Sequence, residues 1–304
     1  MNEVPKKPRG SGIFSKHPFW LGRYFLLNIL IYSIAAVVVL YWNRLFETVS
    51  FWWVLSLIPL FLERFRFIVG GSMLLAIIAL SNYWAEISWI HLFLLPAAIY
   101  LGHLSAVFIH NAVHNNFKPL WLNPIIGELC ALQQLSAGFP VFRFVHNAHH
   151  GNPDNPKRDP HPPAGYTFWE FIDASRSLII SWLAASYFDK WGGSEKSRMD
   201  WKIQNSLLVC SRFVKTFFLF SLIGPKIFVL LFLPSYLSNV FLFAAFNYFT
   251  HPTKGDGTSE ILNLDNNLYY KFCNRTLFGV MYHKNHHLSP KLFNPMNMKP
   301  KIAK

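Results

Sequence analysis

The amino-acid sequence predicts an all-α protein: a polytopic integral membrane bundle of about six spans with a cytoplasmic helical cap. Hydrophobic residues make up 52% of the 304 residues and charged residues only 14%, whereas soluble domains carry about 25% charged residues. Several apolar runs approach the roughly 20 residues that a helix needs to cross a bilayer. Histidines gather in clusters near the ends of these runs, which places the candidate site in the cap.

The net charge of +13 does not indicate a nucleic-acid partner. Lysine and arginine flank the apolar runs instead of forming a basic polar face, which is how these residues orient membrane helices. The three cysteines, Cys130, Cys210 and Cys273, are too scattered for a disulfide framework or a CxxC metal pair. The composition therefore favours a membrane protein without nucleic-acid or disulfide function.

Six apolar runs are predicted to span the membrane, covering residues 19–42, 45–62, 67–82, 87–108, 206–223 and 226–249. The second and third runs are separated by Glu-Arg-Phe-Arg at 63–66, because three charges in four residues are costly in mid-bilayer. We expect three parts: a basic tail at 1–18, N-terminal transmembrane helices at 19–82, and a core at 83–304 that carries the histidines.

The sides of the membrane follow from the basic N-terminus, which the positive-inside rule places in the cytoplasm. Counting six spans from there puts the charged turn at 63–66 and every histidine cluster on the cytoplasmic side. The segment 111–205 is too polar in parts to span. Its apolar stretch 177–188 is expected to form an interfacial or packed helix.

Nine histidines occur in four places, three of them clusters with helical spacing. Residues three and four apart share one face of a helix, so His110 and His114 can point at one metal ion. The pattern HxxHH occurs twice, and each copy offers three imidazoles to one side. Together these histidines exceed one tetrahedral site and suit two metal ions in one cavity. The candidate ligands are His110, His114, His146, His149, His150, His251, His283, His286 and His287.

The other histidines and two carboxylates have simpler expected roles. Asp159 is expected to orient a ligand imidazole by accepting its second N–H, whereas Asp154 is expected to be a solvated turn residue. Four isolated histidines are expected to be hydrogen-bonded structural residues: His17, His91, His103 and His161.

A metal site at the edge of a bilayer indicates a hydrocarbon substrate. Oxidation of unactivated C–H bonds needs a redox metal and dioxygen, which iron provides and zinc does not. The spacing of the histidines does not select iron over zinc, so a zinc-dependent membrane hydrolase and a metal transporter or sensor stay open. Transporters usually place ionisable ligands near the bilayer midplane, whereas these histidines lie at span ends and in loops.

Four motifs resemble those of the membrane fatty acid desaturase and hydroxylase superfamily. HNAVH, HNAHH and YHKNHHLSP are similar to its three histidine boxes, and NYFTH at 247–251 is similar to its NxxxH element. The resemblance covers about residues 87–290. It implies an O2-dependent enzyme in which the nine histidines bind two iron ions and Asn247 acts through water. It also implies a lipid or acyl-chain substrate and a separate electron donor such as ferredoxin, rubredoxin or cytochrome b5.

The reaction implied by the resemblance is desaturation of a fatty acyl chain. The alternative is hydroxylation or ketolation of an alkane, lipid or carotenoid. Two features depart from the family's pattern: Asn285 stands where many relatives carry an acidic residue, and the hairpin joined at 63–66 is additional to the usual four-span core. Hydrogen bonding around the histidines is therefore expected to differ near Asn285. We expect a bacterial inner-membrane protein with its site on the cytoplasmic side.

Overall fold

The computed structural model describes residues 12–15, 17–42, 51–253 and 259–298. Within these ranges the chain is helical and has no β-strand, which confirms the predicted all-α class. Much of the predicted basic tail, residues 1–11 and 16, lies outside the described residues. The α-helices are α1 (Gly12–Ser15), α2 (Trp20–Trp42), α3 (Phe51–Ser56), α4 (Phe65–Tyr83), α5 (Trp89–Val113), α6 (Leu122–Gln133), α7 (Phe139–Gly151), α8 (Phe168–Trp191), α9 (Glu195–Ile227), α10 (Leu233–Thr250), α11 (Leu268–Thr276) and α12 (His283–Leu288).

Four helical stretches in the described chain are long and apolar enough to cross a membrane. They are Trp20–Trp42, Phe65–Glu86, Trp89–Val113 and Glu195–Thr250. The fourth has 56 residues and is interrupted at Gly224, whose φ of 76° and ψ of 160° are not helical. Glycine tolerates this backbone conformation, and the break lies where the sequence predicts a turn between the spans 206–223 and 226–249.

The predicted count of about six spans is not confirmed. The span predicted at 45–62 lies partly outside the described residues, and the apolar helical segment within it, Trp52–Phe61, is too short to cross a bilayer. The chain does bend at 62–64 before α4 begins, as the charges there predict. The stretch 177–188 lies within α8, which is not one of the four candidate spans.

The outer surfaces of the candidate spans are apolar. On α2, Val37 is 60% exposed, and Ile77 on α4 and Phe93 on α5 are also well exposed. Large apolar surfaces are unfavourable in water but match the hydrocarbon core of a bilayer. The structure therefore fits an integral membrane protein, in which α2 packs along α9 and α5 packs against α6 and α10.

Helices α5 and α10 approach each other closely at Gly102. A Cβ atom at this position would collide with the Ser238 hydroxyl and the Ser235 carbonyl, so the small residue permits the contact. Across it, Asn239 Nδ2 donates to the Gly102 carbonyl at 3.1 Å and the Ser238 hydroxyl donates to the Ile99 carbonyl at 3.0 Å. This contact fixes the relative position of the C-terminal ends of α5 and α10, where histidines lie.

Candidate metal centre

The histidines that the sequence singles out converge at one place. They come from the end of α5, from α7, from the residue after α10, and from α12. The structure sorts eight of them into two groups of four, and within each group the candidate ligand nitrogens lie within 4.8 Å of one another. The predicted clustering of distant imidazoles is therefore present in the fold.

The first group contains His110, His114, His146 and His286. The Nε2 atoms of His110 and His286 are 2.8 Å apart, and those of His114 and His146 are 2.9 Å apart. The ninth histidine, His150, joins this group because its Nε2 lies 2.9 Å from Nε2 of His286. Its ring also stacks on His287 of the other group, with centroids 4.2 Å apart, so the two groups are adjacent.

The second group contains His149, His251, His283 and His287. Nε2 of His283 lies 2.9 Å from Nε2 of His251 and 3.1 Å from Nε2 of His287. Two nitrogens bound to one metal at about 2.1 Å are separated by roughly 3.0–3.4 Å, depending on the angle at the metal. The nitrogen spacings in both groups are close to this range, so both fit a bound metal ion.

Asp159, which the sequence analysis expects to orient a ligand, contacts the imidazole of His149. Oδ2 of Asp159 lies 2.9 Å from Nδ1 of His149 and accepts the backbone N–H of Asp154 at 2.7 Å. Nε2 of His149 is buried and has no hydrogen-bond partner. A buried nitrogen without a partner is unfavourable, and a metal ion would satisfy it. Because Nδ1 is already paired with the carboxylate, Nε2 is the nitrogen left for a metal.

The expectation that Asp154 is a solvated turn residue is wrong. Its side chain is only 7% exposed, and Oδ2 lies 3.0 Å from Nδ1 of His251. The backbone of Asp154 is left-handed, with φ at 62°, a conformation that aspartate tolerates better than most residues. The turn therefore directs the carboxylate inward, where it holds His251 as Asp159 holds His149.

Burial keeps the imidazoles of His114, His146, His283 and His286 uncharged at neutral pH. Desolvation, followed by the nearby Arg143, lowers the pKa of His114 to about 4. Burial, followed by the neighbouring histidines, lowers the pKa values of His146, His283 and His286 well below their usual range. Metals bind neutral imidazole, so the electrostatic environment suits a metal centre better than a cluster of cations.

Two asparagines near the histidines differ in position. Asn247 is buried and lines the same cavity as His149 and His283, while its Nδ2 donates to the Phe243 carbonyl at 2.6 Å. Asn285 is directed away from the imidazoles: it hydrogen-bonds with the Asn263 side chain at 2.9 Å and donates to the Pro295 carbonyl at 3.2 Å. Near Asn285, hydrogen bonds therefore link α12 to Asn263 and Pro295.

Three of the four isolated histidines make local hydrogen bonds away from the metal centre, and the fourth, His161, lies beside it. His17 accepts the Phe19 backbone N–H, and His91 caps the start of α5. His103 contacts the Ile99 carbonyl and the Tyr269 hydroxyl. These three agree with the structural role predicted for them.

His161 lies closer to the centre than the sequence predicts. Its backbone N–H donates to Oδ1 of Asp159 at 3.0 Å, and its ring stacks on His149 with centroids 4.8 Å apart. Nδ1 of His161 is buried without a partner. The signal that sequence reasoning passed over is the Asp-Pro-His sequence, which ties this histidine to the carboxylate beside it.

Two cavities meet at the histidines. The metal cavity, of about 820 Å³, is lined by His110, His146, His149, His283 and His286 together with apolar side chains such as Phe246 and Phe293. The second cavity has a volume of about 760 Å³. The two cavities share lining residues: Gln134, Phe142, His146, His161, Asn239 and Phe243.

Comparison with protein families identifies one match. The family model described as "Fatty acid desaturase" matches residues 87–293, about two thirds of the chain. All nine clustered histidines and both orienting carboxylates lie within the matched residues. Comparisons with individual curated proteins and with solved structures returned no match.

Proposed function

The chain belongs to the fatty acid desaturase family, and from this premise we propose that it is a membrane-bound, O2-dependent diiron desaturase. The proposed reaction introduces a double bond into a fatty acyl chain. Two hydrogens leave neighbouring carbons, and dioxygen is reduced to two waters with two electrons from a donor protein and two protons.

One observation carries this proposal: two adjacent groups of histidines meet at a cavity whose other lining is largely apolar. Four ligands to each metal, or five for the group that His150 joins, suit iron, which nitrogen ligands bind well. Iron held there would supply the dioxygen-dependent oxidation of an unactivated C–H bond. The proposed ligands are His110, His114, His146, His149, His150, His251, His283, His286 and His287, with Asn247 acting through water.

The protein's own residues bind and position the chain. Asp154 and Asp159 fix the rings of two ligands, and the apolar side chains around the metal cavity hold the substrate and exclude water. Positioning at the scale of an ångström decides whether the chain loses a second hydrogen or gains a hydroxyl group. Hydroxylation or ketolation is therefore the alternative outcome of the same site.

Electrons are proposed to come from a separate ferredoxin, rubredoxin or cytochrome b5. The three cysteines are scattered along the chain, and Cys130 and Cys273 are buried on different helices. This arrangement offers no ligand set for an iron–sulfur cluster among the cysteines. The separate donor is proposed to reach the histidines from one side of the membrane.

We propose a bacterial inner membrane, with the metal centre on the cytoplasmic side, and the division into 1–18, 19–82 and 83–304. Labelling at the exposed Lys284 on α12 tests on which side of the membrane the metal centre lies. In a Cys210→Ser background, Lys284→Cys should react with a membrane-impermeant thiol reagent in inverted vesicles and not in intact spheroplasts. The reverse pattern would place the histidines outside the cell.

Product analysis tests the reaction. Cells that express the protein with a matched donor should accumulate unsaturated acyl chains, detected by mass spectrometry, and a His286→Ala variant should not. Oxygenated products with unchanged unsaturation would support the hydroxylase or ketolase alternative. Active protein that contains zinc and consumes no oxygen would overturn the proposal.

A further inference from the structure

The second cavity has one polar end and one apolar body. Its apolar residues, such as Val145, Ile180 and Leu183, line the space between α7 and α8, and it reaches the metal cavity beside His146. Its charged lining residues are Glu63 and Arg176. Glu63 lies before α4, outside the residues that the desaturase family model matches, whereas Arg176 lies within them.

At the polar end Glu63 is shared by two arginines, of which Arg176 lines the cavity and Arg212 lies outside its lining. Arg176 Nε donates to Glu63 Oε2 at 3.1 Å, and Arg212 Nη1 also donates to Glu63. Among the described residues, the ion pairs of both arginines go to this one carboxylate. Two guanidinium groups and one carboxylate leave one positive charge without a counterion.

The remaining contacts of the arginines are to neutral groups. Arg176 donates to the carbonyls of Gln134 and Leu135 at 3.4 and 3.2 Å, and Arg212 Nε donates to the Leu135 carbonyl at 2.7 Å. Arg212 lies outside the cavity lining and is 2% exposed, and its Nη2 is buried without a partner, so it leaves Glu63 only partly available to Arg176. A buried charge with too few partners is strongly unfavourable. An anion at this end of the cavity would restore neutrality.

We propose that the second cavity binds the anionic head group of a single-chain amphiphile at Arg176, with its hydrocarbon chain extending past Phe142 into the metal cavity. The inference rests on the proposed function for the identity of the chain as substrate. Arginine binds carboxylate and phosphate oxygens through a planar pair of N–H donors, and the apolar body between α7 and α8 suits methylene groups. A neutral ester or alcohol would leave the positive charge unpaired.

Binding to metal-free protein tests this assignment apart from catalysis. Palmitate, methyl palmitate and palmitoyl glycerophosphate are titrated into purified, chelator-treated protein in detergent, and equilibrium binding is measured. Palmitate, palmitoyl glycerophosphate or both should bind about 10-fold or more tightly than methyl palmitate, because a hydrogen bond to a charged group contributes about 1.5–3 kcal/mol. Preference between the two anions identifies a carboxylate or a phosphate as the head group.

Two substitutions should act in opposite directions. Arg176→Gln should abolish the preference for the anion, whereas Glu63→Gln should increase it by adding to the unpaired positive charge. Arg64→Gln is the matched control, because Arg64 pairs with Asp173 and does not line the cavity. Equal binding of methyl palmitate and both anions by the unmodified protein would overturn the inference, even if a variant fails to fold.

The two proposals fail independently. Anion-selective binding by a protein that never contains iron would contradict the diiron proposal and support the anion-binding site. A diiron protein that binds acids and esters equally would support the diiron proposal and contradict the anion-binding site.

Discussion

Nδ1 of His251 lies 3.0 Å from Oδ2 of Asp154, although 97 residues separate the two along the chain. The contact joins the end of α10 to the loop after α7. Together with the pair formed by His149 and Asp159, it leaves Nε2 of both imidazoles for the metal. The second group of histidines is thus held by two carboxylates from one loop.

Asp154→Asn should weaken metal binding, because the amide holds the His251 imidazole less firmly than a carboxylate does. Loss of such a partner typically reduces metal affinity about 10- to 100-fold. Competition with a chelator, followed by metal analysis, measures the change. Asp173→Asn is the control, since Asp173 pairs with Arg64 and Arg66 away from the histidines. Equal chelator resistance of Asp154→Asn and the unmodified protein would contradict this role.

His161→Ala should keep the metals that His149→Ala loses. His161 belongs to neither group of four histidines, although its ring lies close to His149 and Asp159. Its hydrogen bond to Asp159 is made by the backbone N–H, which alanine retains. Its ring lines both cavities, so the substitution should alter the product distribution. Iron content and product analysis of the two variants measure these effects. Loss of iron from His161→Ala equal to that from His149→Ala would make His161 a ligand.

The metal-free protein should lose stability as the pH falls from about 6.5 to about 4. Burial lowers the pKa of His161 from 6.5 to about 4 in the folded state, so the unfolded chain binds more protons in this interval. The stabilisation is complete above pH 6.5 and is lost as the pH falls through the folded pKa. For His161 alone the shift corresponds to about 3 kcal/mol.

Thermal unfolding of chelator-treated protein in detergent measures this dependence. His161→Gln should flatten the decrease between pH 6.5 and 4, because one histidine with a lowered pKa has been removed. A melting temperature that stays constant over this interval would show that the imidazoles remain accessible to protons in the folded protein.

Gly102→Ala should destabilise the protein, whereas Gly70→Ala should not. The added methyl group at Gly102 meets the backbone of α10, while at Gly70 it meets nothing within 4 Å. Overpacking typically lowers the free energy of unfolding by about 1–3 kcal/mol, and the displaced helices should also release metal. Melting temperature and metal content report both effects. Equal melting temperatures and metal contents of the two variants would show that neither stability nor metal binding requires the close approach of α5 to α10.

The histidine centre could be predicted from the sequence because helical spacing is local. Residues three and four apart lie on the same face of a helix whatever the rest of the fold is. The spacing of His146, His149 and His150 therefore predicts that their imidazoles point to the same side. The prediction that all clusters lie on one side of the membrane also depends on the positive-inside rule and on a count of six spans, and that count is not confirmed. The residues that hold the ligands were harder to predict, because Asp154 turns inward through a left-handed backbone conformation that the loop imposes.

The number of membrane spans and the polar end of the second cavity depend on tertiary structure and are therefore hard to predict from the sequence. The segment around Trp52–Phe61 is apolar, but apolar composition does not distinguish a spanning helix from a short packed one. Glu63 appears in the sequence as part of a charged turn. Its pairing with Arg176 and Arg212, which lie more than a hundred residues away, is set by packing between helices and has no local signature.

Metal analysis of the purified protein tests the central claim most directly. Protein produced with sufficient iron should contain about two iron ions per chain, one for each group of histidines, and the single variants His146→Ala and His283→Ala should each lose metal. Zinc as the stoichiometric metal, or retention of all iron by both variants, would contradict the diiron centre.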